Sequence, residues 1–321
     1  MKALFTFSVS FRSAARRPSV GDCSSAIATA IPSSQSPTSG ASRLIEILPG
    51  KANKVCMKTL LHCLLMIGIP LEATQQLPWL PELGEFEWRE SLSQQSSSYA
   101  SQELFLDSSL ATSLFDFGFE VEALAAHTRR QKGIDDFKAT LRYRWLDDIE
   151  GEAVSLTSGV SLSQCFRRSL HNPSVFHHGY LETELFLSVG KEFNEGCYDL
   201  LDYEVSCSSR LWAVVAGGVA VDRGSPWARF NVSYEKQVWQ KHLLRVFMTG
   251  LYGCGGEGFH LDDFKGYGPI AHRSLELGVR YGRLIDCLGE ISIEYSNRLY
   301  ARHCLKHVSQ FTLQLTYPFG L

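Results

Sequence analysis

The chain has 321 residues, a formal net charge of -3, an apolar fraction of 45% and a mean hydropathy of -0.07. These values exclude a strongly basic nucleic-acid-binding protein and a disordered chain, and they fit either a soluble globular protein or a β-barrel membrane protein, whose polar lumen dilutes its hydrophobicity. No stretch reaches the roughly 18 apolar residues of a membrane-spanning helix. We expect no nucleic-acid partner, no cofactor and no bound metal.

Residues 1–56 differ in composition from the rest of the chain. They contain seven Lys or Arg residues, only Asp22 and Glu46 as acids, and Ser- and Pro-rich text. Such a composition is typical of a disordered or targeting segment. We interpret this stretch as a disordered extension or as a non-native, over-extended reading of the gene.

Residues 57–73 have the layout of a secretory signal peptide. Met57 and Lys58 lead into an apolar run that ends before Pro70, and Ala73 offers a small residue at the candidate cleavage site. We therefore expect translation to begin at Met57 and the mature protein to begin near Thr74. Two alternatives are an organelle transit peptide and a buried helix over residues 60–69.

Residues 74–112 are predicted to form a mature N-terminal extension that could add strands, and residues 113–321 to form the main domain. From residue 115 apolar and polar residues alternate with a period of two, the signature of β-strands with one apolar face. Ten such segments occur, and twelve strands remain an option. They are residues 115–123, 137–145, 154–162, 181–189, 201–221, 228–234, 244–252, 275–281, 289–295 and 308–319.

The connections between these segments favour an antiparallel barrel. Long connections are expected around Arg129 and over residues 164–179 and 253–272, against short turns such as residues 147–151 and 283–286. Long and short connections that alternate in this way are typical of an all-β, antiparallel transmembrane β-barrel. Residues 201–221 are too long for an ordinary strand, so they predict either a protruding strand or a hidden turn at residues 208–210.

The distribution of charge distinguishes a membrane barrel from a soluble sandwich or a lipocalin-like binding protein. The apolar faces often end in an aromatic residue, as a lipid-facing aromatic girdle would require. The polar faces carry charges of both signs, which could cancel in pairs inside a narrow lumen. The predicted lumen-lining residues are Arg142, Arg144, Glu182, Glu184, Arg229, Glu276, Arg280, Glu290 and Glu294.

The C-terminal stretch QFTLQLTYPFGL keeps the alternation almost to the last residue. Together with the export signal and the alternating strands, it resembles Gram-negative outer-membrane β-barrel proteins, whose last strand carries an assembly signal. The resemblance implies outer-membrane lipid and the barrel-assembly machinery as partners, and location in the outer membrane of a Gram-negative bacterium. The matching residues are Phe311, Leu313, Leu315, Tyr317 and Phe319, whereas Pro318 and the terminal Leu321 depart from the pattern.

Six of the nine cysteines lie in the predicted barrel, and all of these except Cys207 are expected to lie in connections. Cysteine-rich barrels cross-linked into the envelope are a feature of the chlamydial outer membrane, and this chain is similar to that group. The resemblance implies disulfide-linked envelope proteins as partners; free thiols are the alternative. The candidate disulfide cysteines are Cys165, Cys197, Cys254, Cys287 and Cys304.

A porin-like channel or a structural envelope protein is the function we expect. The alternatives are an outer-membrane hydrolase with an outer-loop site and the soluble binding protein. His260, Asp262 and Asp263 are weak catalytic candidates because an Asp–His pair could activate water. GCGGEG, which begins at Gly253, matches a nucleotide-binding pattern but is followed by glycines and a proline where a helix would be needed, so we interpret it as a loop.

Overall fold

The computed structural model describes residues 76–198, 204–222, 224–238, 241–286 and 288–320. The segments 1–56 and 57–73 lie outside the described residues. Twelve strands form the fold: β1 (Glu85–Ser96), β2 (Glu103–Leu114), β3 (Phe117–His127), β4 (Lys132–Leu146), β5 (Ser155–Cys165), β6 (Leu181–Tyr198), β7 (Glu204–Ala220), β8 (Pro226–Val238), β9 (His242–Gly253), β10 (Arg273–Ile285), β11 (Gly289–Arg302) and β12 (Ser309–Gly320).

The strands close into a single antiparallel barrel. Each strand pairs with its sequence neighbours, and β1 pairs with β12 from Glu85↔Gly320 to Ser96↔Ser309. Closure therefore leaves no strand edge without a hydrogen-bonding neighbour around the ring, which a bilayer requires because it offers no water to backbone groups. In the described part of the chain, no helix is both long and apolar enough to cross a membrane. The prediction of an antiparallel barrel is confirmed, with twelve strands.

The barrel is apolar outside and polar inside, the reverse of a soluble protein. On β3, for example, Phe117, Phe119 and Val121 are exposed, while the alternating Glu120 and Glu122 are buried. Buried polar and charged side chains outnumber buried apolar ones in the described residues. A surface of this kind is stable only against lipid, so the transmembrane interpretation is favoured over a soluble sandwich.

The two ends of the barrel differ in the length of their connections. We call one end the loop end; it carries connections 97–102, 128–131, 166–180, 221–225, 254–272 and 303–308. The other, the turn end, carries connections of two to eight residues and both termini of the barrel, so the two longest connections, 166–180 and 254–272, both lie at the loop end. The connection around Arg129 was expected to be long but is residues 128–131, because β3 and β4 extend further than the alternation indicated.

Three other sequence expectations are resolved by the fold. The segment 74–112 supplies β1 and β2, so the barrel begins at Glu85 and the two further strands come from here. Strands β6 and β7 are long and pair out to Tyr198↔Glu204, past the last β5 pair at Gly190, so this hairpin protrudes at the turn end. Pro318 pairs with Glu87 of β1, but it lies beyond Thr316, the last residue of β12 that pairs with β11. Its missing N–H donor therefore removes no hydrogen bond from the pairing of β12 with β11.

Candidate functional site

The lumen is occupied by the chain that precedes β1. We call residues 76–84 the inner segment. Gln76 Nε2 donates a hydrogen bond to Glu184 Oε1 (2.5 Å), and Ser188 Oγ donates to the carbonyl of Gln76 (2.8 Å). Thr157 Oγ1 donates to the carbonyl of Pro78 (2.6 Å). Since these partners lie on the inward faces of β5 and β6, the inner segment runs from the turn end into the barrel.

An apolar patch on the wall receives the inner segment. Trp79 packs with Trp212 at a ring-centroid distance of 5.9 Å, edge to face, and its Nε1 donates to Asp148 Oδ1 (2.9 Å). The patch on the inward face of β6 and β7 comprises Phe186, Trp212, Val214 and Ala216, with Leu77 of the segment packed against it. Apolar side chains in a polar lumen gain by contact with each other, so the patch favours this position of the segment.

Two glycines on the wall make room for the inner segment. A Cβ at Gly190 would lie 2.5 Å from Pro78 Cγ, and one at Gly118 would lie 2.7 Å from Leu80 Cδ2. Both separations are shorter than side-chain carbons tolerate, so a larger residue at either position would displace the segment. The wall is therefore shaped to the segment on two separate strands, β3 and β6.

The rest of the lumen contains ion pairs between strands; four join adjacent strands, and two, Arg89–Glu120 and Arg229–Glu184, reach across one intervening strand. Each joins an arginine to a glutamate within 4 Å, and most of the side chains are largely buried. The pairs are Arg89–Glu120 (3.3 Å), Arg142–Glu120 (3.5 Å), Arg229–Glu184 (2.8 Å), Arg245–Glu235 (2.6 Å), Arg280–Glu290 (2.8 Å) and Arg298–Glu276 (2.6 Å). Two of these pairs, Arg229–Glu184 and Arg280–Glu290, join residues that were both predicted to line the lumen.

The remaining predicted lumen residues lie in other surroundings. Arg144 contacts Asp116 and Asp147 at the turn end (3.1 and 2.6 Å). Glu182 lies at the loop end, where it accepts a hydrogen bond from the amide of His178 (2.7 Å). Glu294 is buried, and its Oε1 has no hydrogen-bond partner among the described residues.

Two long loops close the loop end. We call residues 166–180 and 254–272 the lid. Phe176 packs on Tyr267 at a centroid distance of 4.6 Å, and the Tyr267 hydroxyl donates to the carbonyl of Pro173 (2.7 Å). An apolar cluster of Phe264, Tyr267, Ile270 and Cys304, with Phe176, Phe259 and Ala301, joins the two loops to the top of β11 and the connection that follows it. The lid thus has a core of its own.

Buried histidines connect the lid to the barrel wall and its two loops to each other. His177 Nε2 lies 2.6 Å from Asp135 Oδ2. Burial alone would lower the pKa of His177, but the charge and hydrogen bond of Asp135 raise it to about 9. His272 Nε2 lies 3.3 Å from His178 Nε2, and burial followed by the neighbouring His178 lowers the pKa of His272 to about 4. At neutral pH these shifts favour a protonated His177 and a neutral His272.

The catalytic candidates do not form an acid–base pair. His260, Asp262 and Asp263 are exposed in the 254–272 loop, and Asp263 contacts Lys265 (2.6 Å), which lowers its pKa. Within the described ranges, no group of three or more His, Cys, Asp or Glu side chains could hold a metal ion.

The cysteines that can be described are free thiols. Cys165 and Cys304 are buried, and their Sγ atoms donate to the carbonyls of Gly179 (2.9 Å) and Arg273 (3.4 Å). Cys254 is exposed at the loop end. Cys165 and Cys197 belong to strands β5 and β6, not to connections as expected, and Cys287 lies outside the described residues.

The residues of the predicted assembly signal lie on the outer side of β12. Phe311 and Leu313 are 49% and 38% exposed, and Leu315, Tyr317 and Phe319 follow at alternate positions toward the turn end. Phe319 stacks on Phe86 of β1 at a centroid distance of 5.6 Å. These contacts place the aromatic end of the signal at the seam where the barrel closes.

The inner segment and the lid were not predicted from the sequence. A signal for the first was present, because Phe186 interrupts the polar face of β6 and Trp212, Val214 and Ala216 make β7 apolar on both faces. Such apolar residues in a polar lumen predict something that packs on them. The aromatic residues of the two long loops gave a comparable signal for the lid.

Comparison with known proteins finds likeness only among solved structures. No protein-family model and no curated protein sequence matches the chain. The NanC porin is 8% identical, covering 72% of this chain and 98% of its own, with a TM-score of 0.49. An outer-membrane channel from Pseudomonas putida F1 is 9% identical (78% and 100% covered, TM-score 0.48), and the KdgM porin is 11% identical (73% and 99%, TM-score 0.42). Because the sequence identities and TM-scores are this low, the function must be argued from the lumen and the surface of the chain itself.

Proposed function

We propose that this chain is a porin-like outer-membrane β-barrel of a Gram-negative bacterium, with a polar pathway that the inner segment and the lid obstruct. The observation that carries the proposal is the inside-out barrel: apolar residues cover the outside, and ion pairs such as Arg229–Glu184 line the lumen. A charged lumen would set the selectivity for any solute that passes.

Export and assembly complete the proposal. Residues 57–73 would direct secretion, and outer-membrane barrels have their longer loops outside, so the loop end would face the exterior. The alternating residues of β12 would be the part that the barrel-assembly machinery binds. Cys254 would be the first candidate for a disulfide to another envelope protein, since its thiol is exposed.

A structural envelope barrel is the second candidate function. It is favoured by the double obstruction, because the inner segment reaches from the turn end to Glu184 and Arg229 inside the lumen and the two lid loops share an apolar cluster. The two functions differ in whether the inner segment can leave the lumen. In a channel its removal should open a pathway.

The test is conductance in planar lipid bilayers. The first variant replaces Leu77, Pro78 and Trp79 with glycine, which removes the contacts with the apolar patch. We expect few and small openings for the wild type and larger, more frequent openings for the variant. The matched control is Trp145→Ala, which removes a tryptophan that is 59% exposed on the outer surface. If the triple variant folds and stays as silent as the wild type, the structural function is favoured.

A further inference from the structure

Two arginines face each other on the outside of the barrel at its loop end. Arg273 begins β10 and Arg302 ends β11, and the two are directly paired in the register of these strands. Both arginines are exposed. Their neighbours point the other way: Ser274 is buried, and Ala301 packs against the apolar cluster of the lid. Directly opposed residues on one face have Cβ atoms about 5 Å apart, so the two positive charges repel each other.

The protein itself does not compensate this repulsion. Among the residues that the structure describes, neither arginine has a carboxylate within 4 Å, in contrast to the ion pairs of the lumen. Within the described ranges, the one side chain to which the Arg273 guanidinium donates a hydrogen bond is the hydroxyl of Tyr252 (Nη2, 3.2 Å), and the guanidinium lies 4.6 Å from the centre of that ring. Two like charges held opposite each other without a carboxylate indicate an anion supplied from outside.

The surroundings identify where that anion would come from. Tyr252, Tyr300 and Leu299 are 42%, 49% and 62% exposed on the outer surface beside the two arginines. Exposed tyrosines at strand ends are typical of the level at which lipid headgroups begin. Guanidinium groups bind phosphate through paired N–H donors, and they do so most strongly where water is partly excluded. An anion at this level is attached to a lipid, with its acyl chains beside Leu299.

We propose that Arg273 and Arg302 together bind the phosphate of a phosphorylated lipid headgroup in the outward-facing leaflet. The proposal rests on the proposed function, since it needs the barrel to lie in a membrane with its loop end outward. One phosphate between the two guanidinium groups would convert a repulsive pair into two charge-assisted contacts. The site is therefore specific for the phosphate group. The apolar outer surface beside it contacts the acyl chains and does not select among them.

The experiment measures binding of a fluorescent bisphosphorylated diglucosamine lipid to the full chain in nonionic detergent at low salt. The variants are Arg273→Gln, Arg302→Gln and the double substitution; Lys132→Gln, an exposed lysine at the loop end of β4, is the control. We expect each single variant to bind about tenfold more weakly, because one charge-assisted contact is lost. Lys132→Gln should bind as the wild type does, and the dephosphorylated lipid should bind weakly to all five proteins.

Equal affinity of the wild type and the double variant would overturn the proposal, as would a loss of the same size in Lys132→Gln. Inorganic phosphate that protects the wild type against unfolding as well as the lipid does would contradict a lipid site. Folding is checked without lipid: Arg302→Gln should unfold at the wild-type temperature or above it, since it relieves repulsion. Binding in detergent is separate from conductance and membrane fractionation, so failure here leaves the proposed function to its own test.

Discussion

Glutamine at position 120 should destabilise the barrel strongly. Glu120 and Arg142 lie 3.5 Å apart inside the lumen, and each side chain is only 1% exposed. None of the nitrogen atoms of the Arg142 guanidinium makes a hydrogen bond to a described residue. In Glu120→Gln this guanidinium would keep its charge and lose the carboxylate that offsets it.

The size of the effect follows from burial. Removing one partner of a buried ion pair costs about 3 to 5 kcal/mol, because an uncompensated charge stays in a medium of low dielectric constant. Glu150 and Arg144 offer a matched control: their separation is 3.4 Å, but the Glu150 side chain is 68% exposed. Removing an exposed partner costs at most about 1 kcal/mol, so Glu150→Gln should be nearly neutral.

The assay is urea unfolding in detergent, followed by the change in electrophoretic mobility between folded and unfolded protein. We expect the free energy of unfolding to fall by several kcal/mol in Glu120→Gln and to change little in Glu150→Gln. The double variant Glu120→Gln, Arg142→Met should recover much of the loss because neither charge remains. Equal small effects at positions 120 and 150 would refute the reasoning and would mean that water screens the lumen pair.

Three further predictions concern the lid, the thiols and the last strand. The pKa of His177 is raised from 6.5 to about 9, so its stabilisation of the lid is complete below pH 6.5 and is lost as the pH rises through 9. The pKa of His272 is lowered to about 4, so the lid loses stability as the pH falls from 6.5 towards 4. The N–H of Tyr267 donates to the carbonyl of His177, so the protection factor of this amide against hydrogen exchange should be largest near pH 6.5, and Asp135→Asn should remove its decrease at alkaline pH. In the folded protein a maleimide should label Cys254 and spare Cys165 and Cys304, and labelling of all three would contradict their burial. Deletion of residues 317–321 should abolish membrane assembly, because it removes the turn-end part of the seam with β1; normal assembly would contradict this.

The barrel could be predicted because most strands keep one apolar face. In β3 and β4 nearly every outward position is apolar, so a period of two identifies them from sequence. β1 and β2 escaped because their faces are mixed: Ser108 points outward, and Phe105 points inward and is 1% exposed. When polar and apolar residues exchange faces, the alternation disappears although the backbone pairing is intact.

The obstructed lumen could not be predicted from local pattern. The inner segment has no secondary structure whose period could be recognised, and its place depends on contacts with β5 to β8, which follow it by at least 70 residues. The pairing of lumen charges depends on register: Arg142 contacts Glu120 of the neighbouring β3, and alternation alone does not select that partner. Contacts between segments that are distant in sequence could thus be identified only from the three-dimensional structure.

The central claim is that this chain forms a closed barrel embedded in the outer membrane. The most direct measurement combines membrane fractionation with electrophoresis of unheated and heated samples. We predict that the protein requires detergent for release from the outer-membrane fraction and migrates faster before heating than after, since the closed barrel resists unfolding by the detergent. Recovery from the soluble periplasm, with a single mobility before and after heating, would contradict the account.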